Sequence, residues 1–168
     1  FLSGHLHVQH CKRSEDNRGI WEMVTASLAT PSCKYAILTY RDDRSFLYRT
    51  QSLDVEAWAK KNQCTEEDLL NFKQFQTPFL RRVFYNQAIA SLNEVPELTD
   101  SEREQMAQLY SLLKFHYYQG TAYQVQEPVR NDPAYELWQE DGMATQQGEY
   151  FRYILEDGKR DYNRLEVN

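Results

Sequence analysis

The sequence predicts an α+β fold, with short strands over residues 1–52 and a small helical bundle over residues 53–168. Three observations carry this reading. Runs of β-branched and aromatic residues, separated by turn formers, fill the first part. From about Ser52 the apolar spacing turns helical and capping signals recur. Only six glycines occur in 168 residues, about half of ordinary usage, which tilts the balance towards helix.

Taken in order, Ile20-Trp21-Glu22-Met23-Val24-Thr25 reads as a strand, and so does Lys34-Tyr35-Ala36-Ile37-Leu38-Thr39-Tyr40. Pro31 and Ser32 break the chain between them. Asp42-Asp43 marks a turn before Ser45–Thr50, which completes an antiparallel hairpin. The polar segment from Lys12 to Arg18 reads as a solvated loop. Ser52 or Asp54 caps a short helix through Lys61, and Thr65 precedes three acids placed at the positive end of the next. Thr77-Pro78 predicts a helix with proline at its first position, with Leu80, Val83, Phe84, Ala88 and Leu92 on one face. Thr99-Asp100-Ser101-Glu102 fits a capping box, followed by Met106, Leu109, Leu113 and His116 on a shared face. Asp132-Pro133 starts a further helix, and Gly158 ends the last one near Asp157. Four or five helices are expected.

Composition narrows the function classes. Lys plus Arg total 19 against 25 for Asp plus Glu, a formal charge of −6, which argues against binding a nucleic-acid backbone. No apolar run approaches the length of a membrane span. Cys11, Cys33 and Cys64 lack CxxC spacing and make no disulfide framework, though they leave room for one pair. The opening Phe1-Leu2-Ser3-Gly4 lacks the pattern of a signal peptide. An apolar start running straight into histidines leads to the expectation of a C-terminal part of a longer protein.

Gly4-His5-Leu6-His7 is the sharpest chemical feature, and His10 follows three residues later. Imidazole is a common ligand for Zn²⁺, Mn²⁺ and Fe, and two histidines at i and i+2 on a turn can address two adjacent ions. The bland alternative is a polar loop whose histidines face solvent.

The ordered context resembles the end of the calcineurin-like metallophosphoesterase catalytic domain. The match runs over residues 1 to about 50. It consists of an apolar lead into Gly4-His5-Leu6-His7, then Thr25-Ala26-Ser27-Leu28, a proline-containing turn and a hairpin. The resemblance implies the terminal strands of a metallophosphoesterase β-sandwich. It implies that His5 ligates one metal of a pair and His7 the other, that Gly4 permits a tight backbone approach, and that Leu6 points into the core. His10 matches no ligand position and reads as a loop residue. Two divalent ions (Mn, Fe or Zn) would be the cofactors. The substrate would be a small phosphomonoester or phosphodiester, with a nucleotide or cyclic nucleotide favoured weakly.

The superfamily's Asp-x-His, Gly-Asp and Gly-Asn-His motifs do not occur here. The expected partner is therefore the missing N-terminal part of the catalytic domain. His5-x-His7-x-x-His10 also resembles the metallo-β-lactamase pattern, with Gln9 where that motif has Asp. The helical half resembles, in architecture only, the C-terminal helical domain of some cyclic-nucleotide-phosphodiesterase-like enzymes. Its tyrosines, with Trp58 and Trp138, predict an aromatic core or else a lid over the metal site. A non-enzymatic helical interaction module is the competing function.

Overall fold

The computed structural model describes residues 1–15, 19–28, 30 and 32–167. It is an α+β fold: two three-stranded sheets, built largely from the N-terminal part, and seven α-helices among the described residues. Pro31, expected to break the chain, lies outside the described residues.

The first sheet holds β1 (Leu2–Ser3), β2 (His10–Arg13) and β3 (Trp21–Val24), in the order β1-β3-β2. β1 runs parallel to β3, and β2 runs antiparallel to it, with His10 opposite Val24 and Arg13 opposite Trp21. Lys12 and Arg13 thus belong to a strand, which corrects the expectation of a polar loop for those two residues; Asp16, Asn17 and Arg18 lie outside the described residues. On an edge strand polar side chains are at home when they face water, and both are exposed.

The second sheet holds β4 (Lys34–Tyr40), β5 (Phe46–Ser52) and β6 (Arg164–Val167), all antiparallel. The predicted hairpin forms in the expected place, with Lys34 opposite Ser52 and Tyr40 opposite Phe46. In its turn Asp43 Oδ1 accepts from Ser45 N at 2.9 Å, and Arg44 takes φ +68. β6 was not legible in the sequence. It pairs with β5 from a sequence separation of more than a hundred residues, and no local signal announces such a partner. Cys11, Met23, Tyr48, Tyr162 and Leu165 make one buried cluster, with Trp21, Ala36, Phe46 and Val167 packed on it.

Seven helices follow β5: α1 (Val55–Lys61), α2 (Glu67–Leu70), α3 (Phe72–Leu92), α4 (Asp100–Tyr118), α5 (Gln126–Arg130), α6 (Ala134–Gln139) and α7 (Gln146–Asp157). Asp54 caps α1, accepting from Ala57 N at 3.0 Å. The capping box of α4 closes: Thr99 N donates to Glu102 Oε2 at 2.8 Å, and Glu102 N donates to Thr99 Oγ1 at 3.3 Å. The Thr99 backbone N–H, and then the Thr99 hydroxyl, both donating to the carboxylate, hold the Glu102 carboxyl below its ordinary pKa. Asp132 Oδ1 accepts from Ala134 N at the start of α6. Gly158 ends α7, its N–H reaching Ile154 O at 2.7 Å. The seven helices exceed the four or five expected, α2 is entered through Glu66 without a side-chain cap, and one predicted start is displaced. Pro78 lies inside α3, which begins at Phe72 instead of at the expected Thr77-Pro78 signal. The earlier turns supply their own helical hydrogen bonds, so the lost N–H of Pro78 interrupts the ladder without ending it.

By internal contacts the chain divides into two compact units. The first comprises residues 1–79, 118–120 and the C-terminal stretch from Tyr162; the second comprises 80–117 and 121–161. The second has the aromatic-rich core that the sequence predicts. Trp138 is fully buried, donates Nε1–H to Met106 O at 2.9 Å, and stacks on Phe151 at 5.1 Å. Trp58, grouped with these aromatics in the sequence, stands instead in α1 at 56% exposure. No two cysteines are bridged among the described residues.

Candidate metal-binding loop

The loop from Gly4 to Gln9 joins β1 to β2. His5 and His7 are exposed, and both take positive φ, +80 and +56. They are two of five non-glycine residues with that conformation among the described residues. Histidine tolerates the left-handed region better than most side chains, yet two such residues separated by one are strained. Strain of this kind persists only where the surroundings fix it.

The surroundings do fix it. Immediately after His7, Val8, Gln9 and His10 are all buried. Gln9 is the anchor. Its Nε2 donates to Tyr48 Oη at 3.1 Å and to Tyr162 O at 2.8 Å, while its Oε1 accepts from Ala26 N at 3.2 Å. Its own backbone N–H donates to Tyr118 O at 3.3 Å. Tyr48, fully buried, also shares a 2.9 Å hydrogen bond with Thr25 Oγ1. Burial pushes the Tyr48 hydroxyl's pKa up, against the opposing effect of the Thr25 and Gln9 hydrogen bonds. Thr25 and Ala26, singled out in the sequence as part of a motif, therefore brace the residue that ends the histidine loop.

A second polar group closes the same region. Lys34 Nζ donates to Gln119 O at 2.6 Å and to Asn163 Oδ1 at 2.5 Å, and Thr50 Oγ1 reaches that same oxygen at 2.7 Å. Gly120, at φ +71, passes so close that a Cβ there would meet Gln9 Cγ at 2.7 Å. Sequence reasoning missed Gln9, Lys34 and Gly120 as supports. The signal available was a polar Gln inside an otherwise apolar entry to a strand.

Three details differ from what the resemblance implied. Leu6 is 66% exposed and does not point into the core, because the positive φ of both neighbours turns the loop outward. Gly4 takes no positive φ, and a Cβ there would meet nothing within 4 Å, so no tight approach depends on it. His10 is not a loop residue: it opens β2, is buried, and lies with its ring 4.4 Å from that of Tyr162. Gln9, at the Asp position of the metallo-β-lactamase pattern, has its side chain engaged in the core, which removes it from any ligand set.

His116, outside the loop, is half-buried in α4. Its Nδ1 lies 3.1 Å from Thr121 Oγ1, and burial, with Arg81 nearby, lowers its pKa. Among the described residues no three His, Cys, Asp or Glu side chains come together as a metal cluster. The donor chemistry of His5 and His7 suits Zn²⁺, Mn²⁺ or Fe, but one imidazole for each of two ions would fall short of the three protein ligands a catalytic site needs. No helix among the described residues is long and apolar enough to cross a membrane.

Residues 54–161 match the family described as the C-terminal domain of cyclic nucleotide phosphodiesterase. The match begins after β5, beyond the histidine loop, and covers more than half of the chain. The comparison with curated proteins gives no match. The chain belongs to the cyclic nucleotide phosphodiesterase C-terminal domain family.

Proposed function

We propose that this chain is the C-terminal portion of a metal-dependent phosphoesterase, acting on a small phosphodiester or phosphomonoester with a preference for nucleotides. The observation that carries the reading is the pair of exposed, left-handed histidines held above a fully hydrogen-bonded Gln9. The family to which residues 54–161 belong supports the substrate class. When bound, two divalent ions would supply a nucleophile at neutral pH and neutralise phosphoryl oxygens.

The chain's own part is positional. His5 presents one imidazole and His7 another, with Leu6 between them turned to solvent. Gln9, Tyr48 and Thr25 fix the end of the loop, so part of the ordering entropy of its backbone is lost before any ligand arrives. The remaining ligands, including a bridging carboxylate, come from a preceding segment of the catalytic domain. The apolar groove lined by Phe1, Leu2, Ile20, Leu38 and Tyr40, with half-buried Trp21 at its base, suits the packing of such a segment, as the first five side chains otherwise face water.

The test is alanine replacement of each histidine in the intact protein, with elemental analysis and a phosphodiester assay. His5→Ala and His7→Ala each lower metal content and cut turnover by at least about a hundredfold, while thermal stability barely moves because both side chains are exposed. Wild-type turnover in the double variant overturns the assignment. An intact protein holding no stoichiometric metal favours the interaction-module reading.

A further inference from the structure

Lys114 lies in α4 and is only 7% exposed. Its Nζ donates to Gln87 Oε1 at 2.8 Å and to Tyr110 Oη at 2.9 Å. The ring centroids of Phe84, Tyr110 and Tyr150 lie 5.1, 5.1 and 4.8 Å from it. An ammonium has three N–H donors, and two are used here. None of these partners carries a formal negative charge. The ring faces offset part of the lost hydration, and burial still lowers the lysine pKa to about 8.

This cation also lines an open pocket of about 490 Å³, within the size range of small-molecule sites. Gln146, Gln147, Glu149, Tyr150 and Tyr153 complete the lining. Tyr110 donates its hydroxyl hydrogen to Gln147 Oε1, tying the lysine's partner to the cavity wall. The first turn of α7 forms one side, and its N-terminal dipole favours negative charge there. Tyr150 and Tyr153 lie 6.2 Å apart with planes inclined by 17°, and Tyr153 is 46% exposed. Glu149 is exposed and adds the lining's one carboxylate, which works against a polyphosphate.

We propose that this cavity is a second ligand site, taking a small monoanionic or dianionic molecule with a flat ring system, of the class of nucleoside 5′-monophosphates. The phosphate receives the third N–H of Lys114, and the base lies against the tyrosine rings of α7. All of the residues involved belong to the helical unit, so the site stands whether or not the histidine loop hydrolyses anything.

Calorimetric titration of the intact protein in EDTA tests this, with AMP and inorganic phosphate as separate probes. Wild-type protein binds one equivalent of AMP with a Kd of about 1 mM or tighter. Lys114→Met weakens AMP at least about tenfold, as expected for loss of a buried charge-assisted bond. Tyr153→Ala, at an exposed position that leaves the fold intact, weakens AMP severalfold and leaves phosphate unchanged. His5→Ala changes neither. No saturable AMP binding by wild type, or AMP binding insensitive to Tyr153→Ala, overturns the proposal. Phosphate binding as tight as AMP binding overturns the nucleotide class. Because Tyr153→Ala carries its own readout, the test survives even if Lys114→Met does not fold.

Discussion

The two units bury polar groups in opposite ways. In the sheet unit the fully buried Gln9 is neutral, and both ends of its amide are matched by Tyr48, Tyr162 and Ala26. In the helical unit the buried Lys114 is a cation whose partners are two neutral oxygens and three ring faces. A matched neutral group rigidifies what it touches and asks for nothing more. A cation without a carboxylate beside it keeps an unspent attraction for anions. The first arrangement braces a loop that faces outward; the second leaves a cavity with a preference.

The comparison can be broken at the brace. Gln9→Leu leaves Ala26 N and Tyr162 O without that partner, so it costs about 2–4 kcal/mol in chemical denaturation. A loss under about 0.5 kcal/mol would mean that the network is incidental. Next in size is Gly120→Ala. Its positive φ and the 2.7 Å approach to Gln9 Cγ predict a loss of about 2 kcal/mol, with metal content falling alongside because the loop support moves.

The helical side is sharpened by pH. The folded pKa of Lys114 is depressed from 10.5 to about 8, so the unfolded chain binds more protons between those values. Stability therefore gains an upward contribution as pH rises from about 8 towards 10, and Lys114→Met removes it. The difference between the two proteins isolates the effect from Tyr48, Tyr117 and Tyr118, whose burial raises their pKa values and acts in the other direction at higher pH.

The smallest effects fall on the loop and the caps. His5→Gly releases a left-handed residue and raises stability by about 0.5–1 kcal/mol while lowering metal content, which separates strain from ligation. Thr99→Ala opens the capping box and costs about 1 kcal/mol. Glu102 has a depressed folded pKa, so the stability it lends is complete above the unfolded carboxylate range and is lost as pH falls through the folded pKa. Thr99→Ala removes the hydroxyl's share of that acid slope and leaves the larger share, from the backbone N–H of residue 99.

These same differences explain what the sequence could and could not reveal. The capping box at Thr99, the cap at Asp54, the stop at Gly158 and the β4–β5 hairpin are local, written in residues a few positions apart, and all were legible. The start of α3 was misplaced because a proline signal overrode the turns before it. β2 was hidden by its polar composition, since an edge strand facing water need not be apolar. β6 and the Gln9 network depend on partners far away in sequence: Gln9 and Tyr162 are 153 residues apart. The two loop histidines could be picked out by type and spacing, whereas their left-handed backbone and outward-facing Leu6 are set by the distant partners of Gln9. The Lys114 cavity left no motif, because its residues come from three helices.

β6 has a consequence for how the protein is made. The strand that completes the second sheet is encoded at residues 164–167, after every helix. Synthesis runs from the N-terminus, so β5 leaves the ribosome early and waits with an open edge while more than a hundred further residues are added. The helices, built from near neighbours in sequence, can form during that interval. The nascent sheet is the vulnerable part: the unpaired edge of β5 is a template for pairing with another chain, and exposed Leu38 and Tyr40 on the neighbouring β4 add apolar surface. A ribosome stalled just short of Arg164 would release a product with folded helices and an aggregation-prone sheet.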